Sequence, residues 1–323
     1  MTSDISKAQG NTWQNQIGDD GEFRRRPTKF RGAVRHDGST PYAPEAGRYH
    51  LYVSYACPWA HRTLITRMLK GLDHVISFDV VDTYLEAGGW TLRGHEAGAT
   101  GDRVNHFHAL REVYQASQPD FEGSVTVPVL WDIKTRSIVN NESSEIIRQM
   151  NSEFQALARH PELDLYPERL RSEIDAINDW VYHGINNGVY QCGFARSQAA
   201  YDRAATRLFD SLDRAEALLA KARFLTGPEL TEADVRLFPT LLRFDLVYHT
   251  HFKCNLRRIV DYPNLWGFVR DVYALPGVSE TVNVEHIKKH YYCSHESINP
   301  FQIIPIGPDL DLRAPHDRAT RFG

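Results

Sequence analysis

The stretch HLYVSYACPWAHRT, residues 50–63, decides the fold. Its first half alternates apolar and polar side chains as a half-buried strand does. Its second half turns to helical spacing after Pro58, a residue best tolerated in the first turn of a helix, where no backbone N–H is needed. One cysteine, Cys57, stands at the junction, and the fourth position of what would be a C-x-x-C pair is Ala60. A cysteine at a helix amino terminus faces unpaired N–H groups and the positive end of the helix dipole, both of which favour thiolate over thiol. In a C-x-x-C site the second thiol attacks any mixed disulfide formed by the first. Without it Cys57 needs an external thiol, and the abundant intracellular one is glutathione. The competing reading is a small buried hydrophobe, the commonest fate of a free cysteine.

Outward from this junction, ISFDVVD (76–82) reads as a second strand, and strand, helix, strand implies a parallel pair. Residues 83–123, with EAGGW and GHEAGATGD, are expected to form a long irregular insert, functional or wrapped around something. SVTVPVLWD (124–132) and RSIVN (136–140) read as two strands of a hairpin, and NESSEIIRQMN (141–151) as a helix whose first turn carries Glu142 and Ser143. This order is the thioredoxin layout, expected over residues 46–155. In it, a cis Val127–Pro128 bond would leave the N–H and C=O of Val127 free to pair with a peptide, although a proline there can also simply mark a sheet edge. Glu142 and Ser143 could bind a γ-glutamyl group through carboxylate, hydroxyl and helix N–H groups, with ordinary capping as the alternative.

From residue 168 the apolar period becomes 3.6. Leu170, Ile174, Ile177, Val181 and Ile185 share one helical face, and Leu208, Leu212, Ala215, Leu219 and Ala222 another. An all-helical domain is expected over 165–300, with a helix starting at the Thr231 cap and its Asp234 partner. Residues 1–45 read as a polar extension laid over a domain, and 301–323 as a proline-rich extended tail. The basic RRRPTKFR reads as a solvated or dimer-contacting segment. The fold class is therefore an α/β thioredoxin-like domain followed by an all-α domain.

At 323 residues, 42% hydrophobic and 24% charged, the chain can bury two cores without metals or cross-links. A net charge of -4 argues against a nucleic-acid or anionic-membrane binder. The amino terminus lacks the apolar core of a secretory signal and no apolar run reaches spanning length, so a soluble, cytoplasmic protein is expected. Four scattered cysteines are too sparse for a secreted disulfide framework. His286, His290, Cys293 and His295, with His249, His251 and Cys254, have spacings zinc could use. Among fifteen histidines such neighbours arise easily, so no metal is expected.

CPWAHRT, GGWTL, TVPVLWD with NNESSEI, GVYQCGFA, RFDLVYHTHFKCN and HIKKHYYCSH, in this order, resemble the glutathionyl-hydroquinone reductases, the Xi class of glutathione transferases. The resemblance runs from about residue 20 to 305. It implies a glutathione-transferase fold in a homodimer, with glutathione as co-substrate and no tightly bound cofactor. It also implies a reaction: removal of glutathione from a glutathionyl-hydroquinone, using a second glutathione and releasing the disulfide. Carried over by position, Cys57 looks like the nucleophile and Trp90 like the residue that packs on glutathione. Val127, with Ser124, Val125 and Thr126 before it, would meet the glutathione backbone, and Glu142 with Ser143 its γ-glutamyl end. Tyr190 looks like the proton donor or acceptor, and Tyr248 and Tyr291 like tyrosines near the thiolate that lower its pKa. The alternatives are an omega- or glutaredoxin-like thiol transferase acting on glutathione mixed disulfides or dehydroascorbate, and a binding module of the same fold without turnover.

Overall fold

The computed structural model of the chain describes residues 16–322, so the first fifteen residues of the expected extension and Gly323 of the tail lie outside it. Strand β1 (Tyr49–Val53) is buried along its whole length because it is one of the two inner strands of a four-stranded sheet. On one side β2 (Ile76–Val80) runs parallel to it, from Tyr49 opposite Ile76 to Val53 opposite Val80. On the other, β5 (Val129–Asp132) is antiparallel, followed by the edge strand β6 (Ser137–Asn140). Between β1 and β2 lies α1 (Pro58–Leu69), with Pro58 in its first turn as expected.

Helix α1 is buried almost all round, including His61, Arg62, Thr63 and Thr66. The reason is its position, packed between α3 (Ser143–Ser152) of the sheet domain and α7 (Glu232–Arg243) of the helical one. Polar side chains on such a helix must find protein partners, and several of them build the site described below.

The insert is more ordered than expected. It contains a hairpin, β3 (Leu85–Glu86) with β4 (Gly89–Trp90), and a helix, α2 (Leu110–Ser117). Glu112 accepts from the N–H groups of His108 (3.0 Å) and Ala109 (2.9 Å), while Leu110, Val113 and Tyr114 bury one face. The loop before α2 is tied to Asp102, which accepts from the N–H groups of Val104, Asn105 and Phe107 and from Tyr52 Oη. The third strand is shorter than expected: Ser124–Pro128 run outside the ladder and pairing begins at Val129, since Pro128 has no N–H to give. The Val127–Pro128 bond is cis.

Residues 30–34 lie along the edge strand. Gly32 N–H donates to Val139 O (2.8 Å), and the approach is so close that a Cβ on Gly32 would sit 2.7 Å from that oxygen. This strap covers an edge that would otherwise present unpaired backbone.

The helical part comprises α4 (Arg171–Trp180), α5 (Gly188–Phe194), α6 (Gln198–Leu219), α7, the short α8 (His249–His251), α9 (Pro263–Tyr273), α10 (Val284–Ser294) and α11 (Arg318–Phe322). Ile174, Ile177, Val181 and Ile185 are buried together with Leu208, Leu212, Ala215 and Leu219 in one core. Thr231 and Asp234 form the capping box that starts α7. Two π turns, Val181–Asn186 and Phe244–Tyr248, interrupt the regular period after α4 and α7. In the tail, α11 was not expected; it docks through buried Arg318, which donates to Leu219 O, Ala222 O and Arg223 O at the carboxyl end of α6. No helix among the described residues is long and apolar enough to cross a membrane.

Candidate active site

A cavity of about 430 Å³ opens between the two domains at the amino end of α1. Cys57 is the N-cap of that helix, with extended backbone (φ -79°, ψ 120°) and no side-chain capping bond of its own. Its thiol lies 3.6 Å from Val127 O, the carbonyl beside the cis peptide. Burial pushes the Cys57 thiol up, and the amide groups of Ala60 and Trp59 and the Arg243 and Arg25 guanidiniums pull against it. The expectation of a lowered pKa from the helix terminus is thus corrected: the N–H groups act in the expected direction, but loss of water outweighs them.

The glutathione residues expected from the sequence all line this cavity: Trp90, Ser124, Val125, Thr126, Val127, Glu142 and Ser143. Trp90 is stacked on His290, with ring centroids 4.7 Å apart. Glu142 caps α3, accepting from Ser144 N–H (3.1 Å) and Ser144 Oγ (2.9 Å), and it also lines the cavity. Ser143 Oγ accepts from Arg62 (3.4 Å). The loop carrying Thr126 is clamped from α2, because Tyr114 Oη donates to Thr126 O (2.8 Å) and accepts from Thr126 N–H (3.1 Å). Asn141 donates to the same hydroxyl (2.9 Å), which ties the loop to the start of α3. Through Tyr114, helix α2 therefore fixes both the loop at Thr126 and the start of α3, which line the cavity side by side.

The tyrosines stand on the helical side. Tyr190 Oη and Tyr291 Oη are 2.6 Å apart, and Tyr248 Oη lies 2.9 Å from Tyr291 Oη, a chain of three hydroxyls with Tyr291 in the middle. Tyr190 and Tyr291 line the cavity, whereas Tyr248 is fully buried behind Tyr291. Burial raises the pKa of all three, so their hydroxyls stay protonated at neutral pH. The π turns contribute here, since one precedes the helix bearing Tyr190 and the other ends at Tyr248. Such turns rotate the side chains that follow them and concentrate at functional sites.

Several cavity residues were not singled out from the sequence. Trp59 follows Cys57 and Pro58 directly, and its ring lies 4.6 Å from the Arg62 guanidinium. Arg25 stacks 4.8 Å over Trp59 and 4.8 Å over Tyr190, and its Nε donates to Asn187 Oδ1 (3.1 Å). Arg25, Pro27, Thr28 and Lys29 line the cavity, so the basic segment, read as solvated or dimer-contacting, is a wall of the pocket. No spacing rule points an extension into a distant cleft. His290 and His295 also line it, and burial holds His290 down at about 4 and His295 well below the usual histidine range. His290 Nδ1 is bonded to Thr83 O (2.9 Å), His286 Nε2 to Ala97 O (2.6 Å) and His251 Nε2 to His295 Nδ1 (3.1 Å). Among the described residues no group of three or more His, Cys, Asp or Glu is arranged to hold a metal ion.

Residues 56–153 match the model of the glutathione S-transferase amino-terminal domain, and 198–271 that of the carboxyl-terminal domain. The chain is 51% identical over 318 residues to the glutathionyl-hydroquinone reductase YqjG of Escherichia coli K12, covering 97% of each. It is 48% identical over 301 residues to the glutathionyl-hydroquinone reductase PcpF of Sphingobium chlorophenolicum, covering 93% of this chain and 94% of that one. The glutathione-bound structure of YqjG superposes with a TM-score of 0.88 over 94% of this chain and 99% of the other, at 51% identity. The Xi glutathione transferase of Phanerochaete chrysosporium gives 0.90 over 93% and 97%, at 50% identity. The chain belongs to the glutathione transferases and, within them, to the Xi class that includes the glutathionyl-hydroquinone reductases.

Proposed function

We propose that this enzyme reduces glutathionyl-hydroquinones to hydroquinones at the expense of glutathione, with Cys57 as nucleophile and Tyr190 as proton donor. The observation that carries this reading is that one cavity is lined by Cys57 at a helix amino terminus and by Tyr190 and Tyr291, the cavity-facing members of a chain of three protonated hydroxyls backed by Tyr248. The Cys57 thiolate attacks the sulfur that joins glutathione to the ring. Direct expulsion would leave an aryl carbanion, which is prohibitive. If the ring first takes a proton on the carbon bearing sulfur and becomes its keto tautomer, the group that leaves is an enolate, and it collapses to the hydroquinone. Tyr190 is suited to deliver that proton and to hydrogen-bond the ring oxygen. Tyr291 donates to or accepts from Tyr190 and so keeps its hydroxyl oriented, and Tyr248 does the same for Tyr291 one step further back.

The C–S bond breaks as the Cys57–glutathione disulfide forms. A second glutathione thiolate attacks that disulfide at the glutathionyl sulfur, releasing glutathione disulfide and restoring Cys57, so the two electrons that reduce the ring carbon come from two glutathionyl sulfurs, the thioether sulfur of the substrate and the thiol of the second glutathione. Ping-pong kinetics follow. Glutathione would be held with its γ-glutamyl end at Glu142 and Ser143, its backbone at Val127 and its body against Trp90. In the same reading the enzyme is a cytoplasmic homodimer with no tightly bound cofactor. What supports the cytoplasmic setting is four free thiols and a catalytic cysteine that relies on external glutathione.

The test is turnover of glutathionyl-menadiol with glutathione, following glutathione disulfide and free menadiol together, and an intact mass taken before the second thiol is added. Stoichiometric release of both products with a glutathione adduct on Cys57 is expected. No turnover in a sample that still reduces a simple glutathione mixed disulfide would move the protein to the general thiol transferases.

A further inference from the structure

Arg243, the last residue of α7, is fully buried. Its Nε donates to Ala56 O (2.8 Å) and its Nη2 to Tyr55 O (2.8 Å), the two carbonyls immediately before Cys57. Its Nη1 donates to Pro239 O (2.8 Å) and to His61 Nδ1 (3.0 Å). A guanidinium has no acceptor and does not deprotonate in proteins, so His61 Nδ1 must be the acceptor and the ring proton sits on Nε2. There it donates to Thr281 Oγ1 (2.8 Å), whose own proton goes to Val278 O (2.7 Å). Burial, reinforced by Arg243, holds His61 well below the usual histidine range, so the ring is neutral. All four bonds of Arg243 thus end on uncharged acceptors.

A buried cation solvated only by dipoles is costly, because dipoles replace water without supplying the opposite charge. Buried Arg48, by contrast, pairs with Asp132 Oδ2 at 2.6 Å. The anion missing from Arg243 is one residue beyond the carbonyls it holds. We propose that Arg243 is the resident counter-ion of the Cys57 thiolate, a positioning residue that clamps the strand-to-helix turn and offsets the burial of the sulfur's negative charge. This rests on Cys57 being the nucleophile. It gives a reason why a thiol that has lost much of its water can still hold an anion: the compensating charge is built into α7. It also links the domains chemically, since the turn from the thioredoxin-like part is completed by a side chain from the helical one.

Other groups face the sulfur and must be kept apart from this effect. Arg25 comes from the amino-terminal segment, where it is half-buried and shared among aromatic faces. Arg62 lies one turn along α1 with Asn186 Oδ1 at 2.8 Å and Ser143 Oγ at 3.4 Å. Glu142, the N-cap of α3, lines the cavity as an acidic side chain, and Tyr190 on α5 with His290 and Tyr291 on α10 are neutral there. His295, at the end of α10, is neutral as well.

The experiment is the pH dependence of Cys57 alkylation by iodoacetamide in the full-length protein, read by mass spectrometry on the Cys57 peptide so that Cys293 does not contribute. Arg243→Met and Arg243→Gln remove the charge, Gln keeping a donor for the same carbonyls, and Arg243→Lys keeps the charge without the fork. The midpoint should rise by about one pH unit or more in Met and Gln, and Lys should recover at least half of that rise. If Met does not fold, Gln against Lys carries the same comparison. Midpoints unchanged in the uncharged variants, or raised equally in Gln and Lys, would overturn the proposal. A wild-type Cys57 whose reactivity shows no thiolate titration would instead overturn its assignment as nucleophile, so the two failures are distinguishable.

Discussion

Tyr190→Phe separates the two halves of the reaction. The substitution removes one hydroxyl and keeps a ring that packs against Phe23, Phe194, Phe252 and Tyr248. The hydroxyl bonds to Tyr291 Oη at 2.6 Å, and Tyr291 keeps its bond to Tyr248 when Tyr190 is changed. No buried hydroxyl is orphaned, so the stability cost is that of one hydrogen bond, about 1 kcal/mol. The chemical cost falls on proton delivery to the ring. A positioned general acid contributes roughly 10²- to 10⁴-fold, which is about 3–5 kcal/mol of barrier. The second half-reaction, thiol attack on the Cys57–glutathione disulfide, needs no ring proton. Rapid-quench measurement of menadiol release and of adduct formation should therefore fall by about 10² or more. Reduction of a preformed Cys57–glutathione disulfide by glutathione should stay within about twofold of the wild-type rate, because a step with no proton transfer from Tyr190 has none to lose. Equal losses in both steps would refute the assignment and give Tyr190 a role at the thiol itself. Unchanged menadiol release would show that the proton comes from elsewhere.

Cys57→Ser should abolish the mixed disulfide and the reductase reaction, and shift residual activity toward glutathione addition to quinones, which a chlorodinitrobenzene or menadione conjugation assay would detect; full retention of glutathione disulfide formation would contradict the mechanism. Glu142→Gln should raise the KM for glutathione by roughly 10- to 100-fold, the worth of a hydrogen bond to a charged amino group, with kcat changing much less; an effect confined to kcat would remove Glu142 from the γ-glutamyl site. Acid should weaken the fold through the buried histidines. His290 is held at about 4, below its unfolded value near 6.5, so the unfolded chain binds a proton that the native site refuses. Its stabilising contribution is complete above about pH 6.5 and is lost as the pH falls toward 4, worth roughly 3 kcal/mol. Chemical-denaturation midpoints from pH 7 to 4 should fall steeply and His290→Gln should flatten part of that slope; identical slopes would sink the argument.

The order of elements and the placing of Cys57 at a helix amino terminus could be read directly from the chain because both are local. Pro58 after an alternating run, Ala60 where a second cysteine would stand, and Thr231 three residues ahead of Asp234 each act within a few residues, at distances where backbone geometry leaves little choice. The apolar face from Ile174 to Ile185 is likewise a property of helical spacing. Helix α2 had a readable signal too, in Leu110, Val113 and Tyr114 with Glu112 beneath them, but its polar and glycine-rich approach hid it.

What only the tertiary structure decided are the meetings of residues far apart in the chain. Arg25 reaching Tyr190, Tyr114 clamping Thr126, Tyr291 joining Tyr190 to Tyr248, and Arg243 closing the turn before Cys57 each depend on which domain face packs on which. The two π turns shift the later side chains out of the regular helical period, so no count along the sequence could place the tyrosine hydroxyls in one chain. The direction of the Cys57 thiol's shift was also beyond a one-dimensional reading. The helix terminus is written in the sequence, whereas the burial that outweighs it exists only once the chain has folded around the cavity.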